Sequence, residues 1–156
     1  ISLRLVGSEM CIRDRLEADE GIKYVTYKCS ADKLTFGVGH MVLESDPEYN
    51  QPVGTAVSAD RVTECFNRDI ESVITDCQRL YSQFDSLPED CKLIIANMMF
   101  NLGLPTLSKF KNMKKHVDEE DWELAAAEME NSKWARQLPN RSSRLVERMR
   151  LLAVPF

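Results

Sequence analysis

The sequence predicts a mostly helical α+β protein. Its expected parts are a small hairpin-containing N-terminal lobe (15–57), a long connecting helix (58–81) and a helical C-terminal lobe (82–156). Three observations lead there. Residues of high β propensity are concentrated in one short stretch, Tyr24 to Val38. A 3.6-residue apolar stripe runs through Val62, Cys65, Phe66, Ile70, Val73, Ile74, Cys77 and Leu80. The run Leu93 to Phe100 is apolar nearly all round, as a helix buried inside a bundle must be. The length of 156 residues fits one domain, and 44% hydrophobic with 29% charged residues is ordinary globular composition. No apolar run approaches the roughly 20 residues that span a bilayer.

The elements follow in chain order. Arg4 to Asp14 reads RLVGSEMCIRD, which resembles the one-frame translation of a transposon-type sequencing adapter. Residues 1–14 are therefore set aside as non-native, and 15–156 is read as the domain. Arg15 to Glu20 reads as the end of a helix stopped by Gly21. Tyr24–Tyr27 and Leu34–Val38 form the two arms of a hairpin, joined by the polar turn 28–33. Asp46 to Thr55, with Pro47, Pro52 and Gly54, is loop. Ser58 caps the long helix, which runs to about Tyr81. Ser86-Leu87-Pro88-Glu89 reads as a capping box opening the central helix, which ends at Gly103. Shorter helices are expected at 107–116, 119–130 and 141–152, punctuated by Pro105, Asp118 and Pro139. A cleft between the lobes is where a polymer would lie.

The net charge of −5 argues against a basic nucleic-acid binder. Its distribution is uneven: Asp118–Glu130 holds seven acids and no base, whereas Asn131–Arg150 holds six bases against Glu147 alone. Either the second run offers a basic face to an anionic substrate, or both runs are simply solvated helix surfaces. The five cysteines (11, 29, 65, 77, 91) show no CxxC pair and no metal-ligand spacing. Cys65, Cys77 and Cys91 fall on apolar helix positions and read as small core residues, and the odd, scattered count suits folding in a reducing compartment. No metal or organic cofactor is implied.

Chemistry concentrates near the hairpin. Glu20 ends the first helix, Cys29 sits in the turn and Thr35 lies on the returning strand, with eight residues between the first pair and five between the second. A hairpin folded back on a helix end brings all three toward one place. Glycoside cleavage needs a carboxylic acid to protonate the leaving oxygen and a second group acting at the anomeric carbon. Glu20 with a polar group in the turn meets that need. Each residue also has a plainer reading: a helix-end acid, a strand threonine, a turn cysteine. A carboxylate at a helix C-terminus opposes the dipole, which favours a role or a partner.

These residues carry a family resemblance. Leu16-Glu17-Ala18-Asp19-Glu20-Gly21, Tyr27-Lys28 and Thr35-Phe36-Gly37-Val38-Gly39-His40 resemble the lysozymes of T-even bacteriophages and glycoside hydrolase family 24. So do Phe66-Asn67-Arg68-Asp69, Asn97–Gly103, Ser132-Lys133-Trp134, Pro139-Asn140-Arg141 and Arg144, so that the likeness covers about 16–150. The resemblance implies a two-lobed lysozyme-like fold and a monomeric peptidoglycan hydrolase, made in a host cytoplasm and acting at the cell wall, with no nucleic-acid partner and no stable membrane insertion. It implies Glu20 as general acid, Cys29 in the second catalytic position, and Thr35 placing water. His40 and Met41 would border the substrate on the hairpin side, and Asn97 and Phe100 would line it from the central helix. Arg141 would pair with Glu20, and Arg144 with Asp19. Met113 and Glu128 stand where the family carries small polar groups that touch substrate. Competing readings are a non-catalytic wall-binding module on the same fold, a lytic transglycosylase, and an unrelated helical adaptor.

Lys28 and Lys33 are expected to lower the pKa of Cys29, and an ionised Glu20 to raise it. A thiolate acting as base or stabiliser would give inversion. A nucleophilic one would give a covalent glycosyl-thioether and retention.

Overall fold

The computed structural model describes the backbone from Leu3 to Pro155 and side chains from Cys11 onward. Its elements are α1 (Leu3–Glu20), β1 (Lys23–Lys28), β2 (Leu34–Gly37), β3 (His40–Met41), α2 (Ala59–Leu80), α3 (Glu89–Leu102), α4 (Leu104–Leu107), α5 (Lys111–Asp118), α6 (Trp122–Glu130), α7 (Lys133–Gln137) and α8 (Pro139–Leu151). Single 3₁₀ turns add Pro47–Asn50 and Phe84–Ser86. The fold is mostly helical with a small antiparallel sheet, as the sequence predicts. Two compact units emerge: Ile12–Ser72, and Val73–Phe156 together with Ile1–Cys11.

In the smaller unit α1 stops where the sequence places its end. Gly21 takes φ +71°, and its amide donates to the Glu17 carbonyl at 2.9 Å. Part of the segment set aside as adapter-derived is built into this unit. Ile12 is buried, and the Arg13 guanidinium lies 5.1 Å from the Phe66 ring centre. The hairpin has Tyr27 opposite Thr35 and Lys28 opposite Leu34, with a bulge between Lys23 and Tyr27. The outer edge of β1 is covered by 54–57: Thr26 and Gly54 amides donate to Thr55 and Thr26 carbonyls, both at 2.9 Å. Gly37 and Gly39, both at φ +64°, turn the chain so that β3 pairs with β2. That third strand, two residues long, carries no periodic signal and was not expected. Phe36, Val57, Val62 and Cys65 form the core beneath, with Val42 packed on it.

Ser58 caps α2 as expected, its hydroxyl accepting from the Arg61 amide at 3.1 Å. In the larger unit Cys91 through Met99 of α3 are all buried. Burial pushes the Cys65 thiol up to about 11 and the Cys91 thiol up to about 12, and raises Cys77 as well. All three are inert core thiols, and all five cysteines are free.

Three local expectations are corrected. Ser86 does not cap α3: its hydroxyl donates to the Gln83 carbonyl at 2.9 Å inside a 3₁₀ turn, and Pro88 occupies the cap position without a side-chain bond. The helix expected over 107–116 is instead α4, which tolerates Pro105 in its first turn, followed by a break and α5 from Lys111. Ser132 opens an unexpected helix, α7, by accepting from the Ala135 amide at 3.1 Å.

The charge asymmetry is in part answered internally. Arg150 pairs with Glu123 at 3.1 Å and Glu130 at 2.8 Å, and Arg148 with Asp90 at 2.7 Å. Two of the six bases therefore answer acids of their own unit.

Candidate active site

The corner where α1 meets the hairpin holds the residues that the sequence singles out. Glu20 is the last residue of α1 and half-buried. Its carboxylate lies over the β2–β3 turn, where a Cβ built on Gly39 would come within 3.0 Å of Oε2 and 3.1 Å of Cδ. Only glycine serves there, because the backbone is left-handed and the space is filled by the acid. The Gly37-x-Gly39 pair has no phosphate-binding meaning; its second glycine is the seat of the acid. A sequence in which a tight turn follows a candidate acid and its hairpin already contains that hint.

Cys29 is half-buried at the start of the 29–33 turn, whose amides close on themselves. The Cys29 amide donates to Lys33 O at 3.0 Å and the Asp32 amide to Cys29 O at 2.9 Å. Burial raises the thiol pKa, but backbone hydrogen bonds from Lys33 and Ala31 and a side-chain hydrogen bond from Thr35 outweigh it, and the net shift is downward. The main agents are main-chain amides and a hydroxyl, not the lysine charges expected from sequence. Thr35 is buried, and its hydroxyl donates to Lys33 O at 2.9 Å. One hydroxyl proton serves one acceptor at a time, so the Lys33 carbonyl and the Cys29 sulfur compete for it.

Tyr27 links the two positions. Burial raises its phenol pKa first, and the charges of Glu20 and Cys29 raise it further, which sets both groups within electrostatic reach of one ring. Tyr27 also pairs with Thr35 across the hairpin and lies under the Lys23 ammonium at 5.0 Å. Thr35 thus lies beside Cys29, and Glu20 and Cys29 both act on Tyr27, which with Gly39 was not singled out as a site residue in the sequence.

His40 is buried, with Nδ1 2.7 Å from Asp69 and Nε2 2.8 Å from Asp46. Burial lowers its pKa, the two carboxylates raise it, and the carboxylates prevail. Both ring nitrogens are therefore engaged within the unit. Met41 beside it is exposed. Asp19 stands next to Glu20 at the end of α1 and is half-buried. The other residues implied by the resemblance belong to the larger unit: Asn97, buried, and Phe100, half-buried, on α3; Arg141, half-buried, and Arg144, exposed, on α8.

The larger unit also has a cavity of about 410 Å³ between α4, α5, α6 and α7. Met113 and Glu128 both line it, beside Trp134, Lys109, Lys111 and Lys133. The lysines were not marked as a group in the sequence, because α7, which carries Lys133, was not expected. Among the described residues no cluster of three or more His, Cys, Asp or Glu side chains could hold a metal ion.

The match to known proteins fits this geometry. Residues 17–150 match the family model described as phage lysozyme. The chain belongs to the phage lysozyme family. It is accordingly a glycosidase. Two probable T4-type lysozymes of Dictyostelium discoideum are similar to it. One is 28% and the other 30% identical, each alignment covering 86% of this chain and 91% of the relative. A peptidoglycan hydrolase, gp36, of Pseudomonas phage phiKMV is 26% identical over 88% of this chain, which corresponds to only 15% of that longer protein.

Within this phage-lysozyme fold the Gly39 seat makes a specific demand. Gly39→Ala is strained at φ +64° and also presses on the Glu20 carboxylate, which must retreat by a few tenths of an ångström. The expected result is a stability loss of about 1 kcal/mol and a fall in kcat of between about tenfold and a hundredfold. Calorimetry and initial lysis rates measure the two effects. Wild-type kcat in Gly39→Ala would remove the seat from the argument.

Proposed function

We propose that this phage-family lysozyme hydrolyses the β-1,4 bond between N-acetylmuramic acid and N-acetylglucosamine in peptidoglycan with inversion at the anomeric carbon. Glu20 is the general acid that protonates the leaving oxygen. Cys29, as thiolate, is the base or stabiliser for the attacking water, which Thr35 helps place. The observation that carries this reading is the pairing of a seated carboxylate with an amide-supported thiol in one corner of the small unit. A carboxylate and a thiolate differ in basicity, but the turn supports either anion. Met41 and Phe100 are the implied glycan-binding residues with solvent-accessible surface.

The relatives' names add to this. The Dictyostelium proteins are named as lysozymes and the phage protein as a peptidoglycan hydrolase. No described helix is long and apolar enough to cross a membrane. The proposed substrate places the enzyme's work at the cell wall.

The lowered thiol pKa also favours one specific rival. A thiolate that attacks the anomeric carbon while Glu20 gives its proton to the leaving oxygen forms a covalent thioether, which water then cleaves with net retention. Proton NMR of freshly released product separates the two: the inverted anomer is expected, with no added saccharide mass on the protein. Retained configuration, or Cys29 carrying glycan mass, overturns inversion. Anhydro-muramic products in place of new reducing ends would make the enzyme a transglycosylase instead. In the same assay Cys29→Asp is expected to keep activity within about tenfold of wild type, since a carboxylate also serves as base.

A further inference from the structure

We propose that Asp46 is a positioning residue for Glu20, acting through His40 and the Gly39 turn. The inference rests on Glu20 being the acid. Asp46 comes from the loop after β3, and its side chain is only 8% exposed. Three donors converge on it. Oδ2 accepts from His40 Nε2 at 2.8 Å and from the Leu43 amide at 2.8 Å, while Oδ1 accepts from Arg61 Nη2 at 3.2 Å. Asp69 of α2 holds the other ring nitrogen of His40 at 2.7 Å.

An imidazole bonded on both nitrogens to two separate elements cannot flip or swing without breaking a charge-assisted hydrogen bond. The ring is further set against Phe36, 5.0 Å between centroids. His40 is bonded in sequence to Gly39, so fixing its ring fixes one side of the turn on which the Glu20 carboxylate rests. On its other side that turn is held by Gly37, packed 3.1 Å from Val62 by the same Cβ measure. Asp46 is thus the outer anchor of a chain of rigid parts: Asp46, His40, Gly39, Glu20. A displacement of the reacting group by about 1 Å is enough to cost a large factor in rate.

Glu48 is the matched control. It binds Arg61 at 3.0 and 3.1 Å, as deep in the same ionic network, but His40 bonds to Asp46 and Asp69. Asp46→Asn and Glu48→Gln are compared on soluble peptidoglycan fragments, well below both melting temperatures. Asp46→Asn is expected to lower kcat about tenfold with KM changed by less than about twofold, and to move the Gly39 amide resonance. Glu48→Gln is expected to lower the melting temperature and do neither. In the unaltered enzyme both His40 ring N–H protons should be visible and slowly exchanging by ¹⁵N NMR at pH 6. That readout stands even if a variant fails to fold.

An Asp46→Asn enzyme with reduced Tm but unchanged kcat overturns the proposal, as does an equal kcat loss in Glu48→Gln or a fast-exchanging Nε2 proton. If Glu20→Gln keeps activity, the acid assignment falls and takes this inference with it. If Glu20→Gln is inactive while Asp46→Asn has normal kcat, only the inference about Asp46 falls.

Discussion

Glu20→Gln should reduce bacteriolytic activity by at least about 10³-fold, within the range expected for removal of a positioned general acid. Glutamine keeps the shape and length that rest on Gly39, so the seat stays filled. What disappears is a proton acidic enough to reach the leaving oxygen as the glycosidic bond breaks. The fold should survive the change. Glu20 ends α1, whose last turn contains no basic residue. The thermal midpoint is expected within a few degrees of wild type. Turbidity clearing of permeabilised Gram-negative cells, with calorimetry on the same preparation, measures both. A fully active Glu20→Gln protein would end the acid assignment. A folded but inactive one would also set the chain apart from a wall-binding module, which releases no reducing ends in either form.

The second large effect concerns stability and its pH dependence. His40→Asn should cost about 3 kcal/mol near pH 6, because two carboxylates lose a charged, doubly hydrogen-bonded partner in a buried setting. The sign of the pH dependence follows from the directions of the shifts. His40 is raised when folded. Its stabilising contribution is therefore complete below the unfolded value of about 6.5 and is lost as pH climbs through the higher folded value. Asp46 is opposed by burial but held down by the Leu43 amide, His40 and Arg61. Glu48 is held down first by its bonds to Arg61. Their contributions are present above the unfolded carboxylate range of about 4 and are lost as pH falls through the lower folded values. Wild type should thus be most stable between about pH 4.5 and 6.5, and less stable at pH 8. In His40→Asn the decline from pH 6 to pH 8 should flatten. Urea unfolding across that range tests it; an unchanged slope would mean that His40 is not the titrating group.

What the sequence revealed of this molecule depended on periodicity. Long amphipathic α2 and the apolar α3 were legible because many residues repeat one signal. The stop of α1 at Gly21 and the Ser58 cap were legible because each rests on local chemistry. By contrast β3 is two residues long, and α4 and α7 are four and five residues. Elements that short are set by the packing around them rather than by any pattern of their own. Ser86 misled for a related reason: its hydroxyl had two local acceptor geometries to choose between, and the 3₁₀ turn decided the choice.

The site divides the same way. Glu20, Cys29 and Thr35 stood out as candidates because a helix end, a turn and a returning strand are close in sequence, and the family resemblance implied their roles. The Asp46–His40–Asp69 bridge joins residues up to 29 positions apart, and no local rule links them. Gly39 could have been found, but its meaning depends on a carboxylate 19 positions earlier, and only the three-dimensional arrangement makes it the seat of the acid.

The turn at Cys29 bears on how this site could arise. Its anion is supported chiefly by main-chain amides of residues 29–33 and by the Thr35 hydroxyl rather than by cationic side chains. Main-chain donors are the same whatever side chains the turn carries. A lineage can therefore exchange oxygen for sulfur at position 29, or drift at Lys28 and Lys33, without first building a new electrostatic environment. The group at position 29 can then vary while the backbone that receives it stays constant.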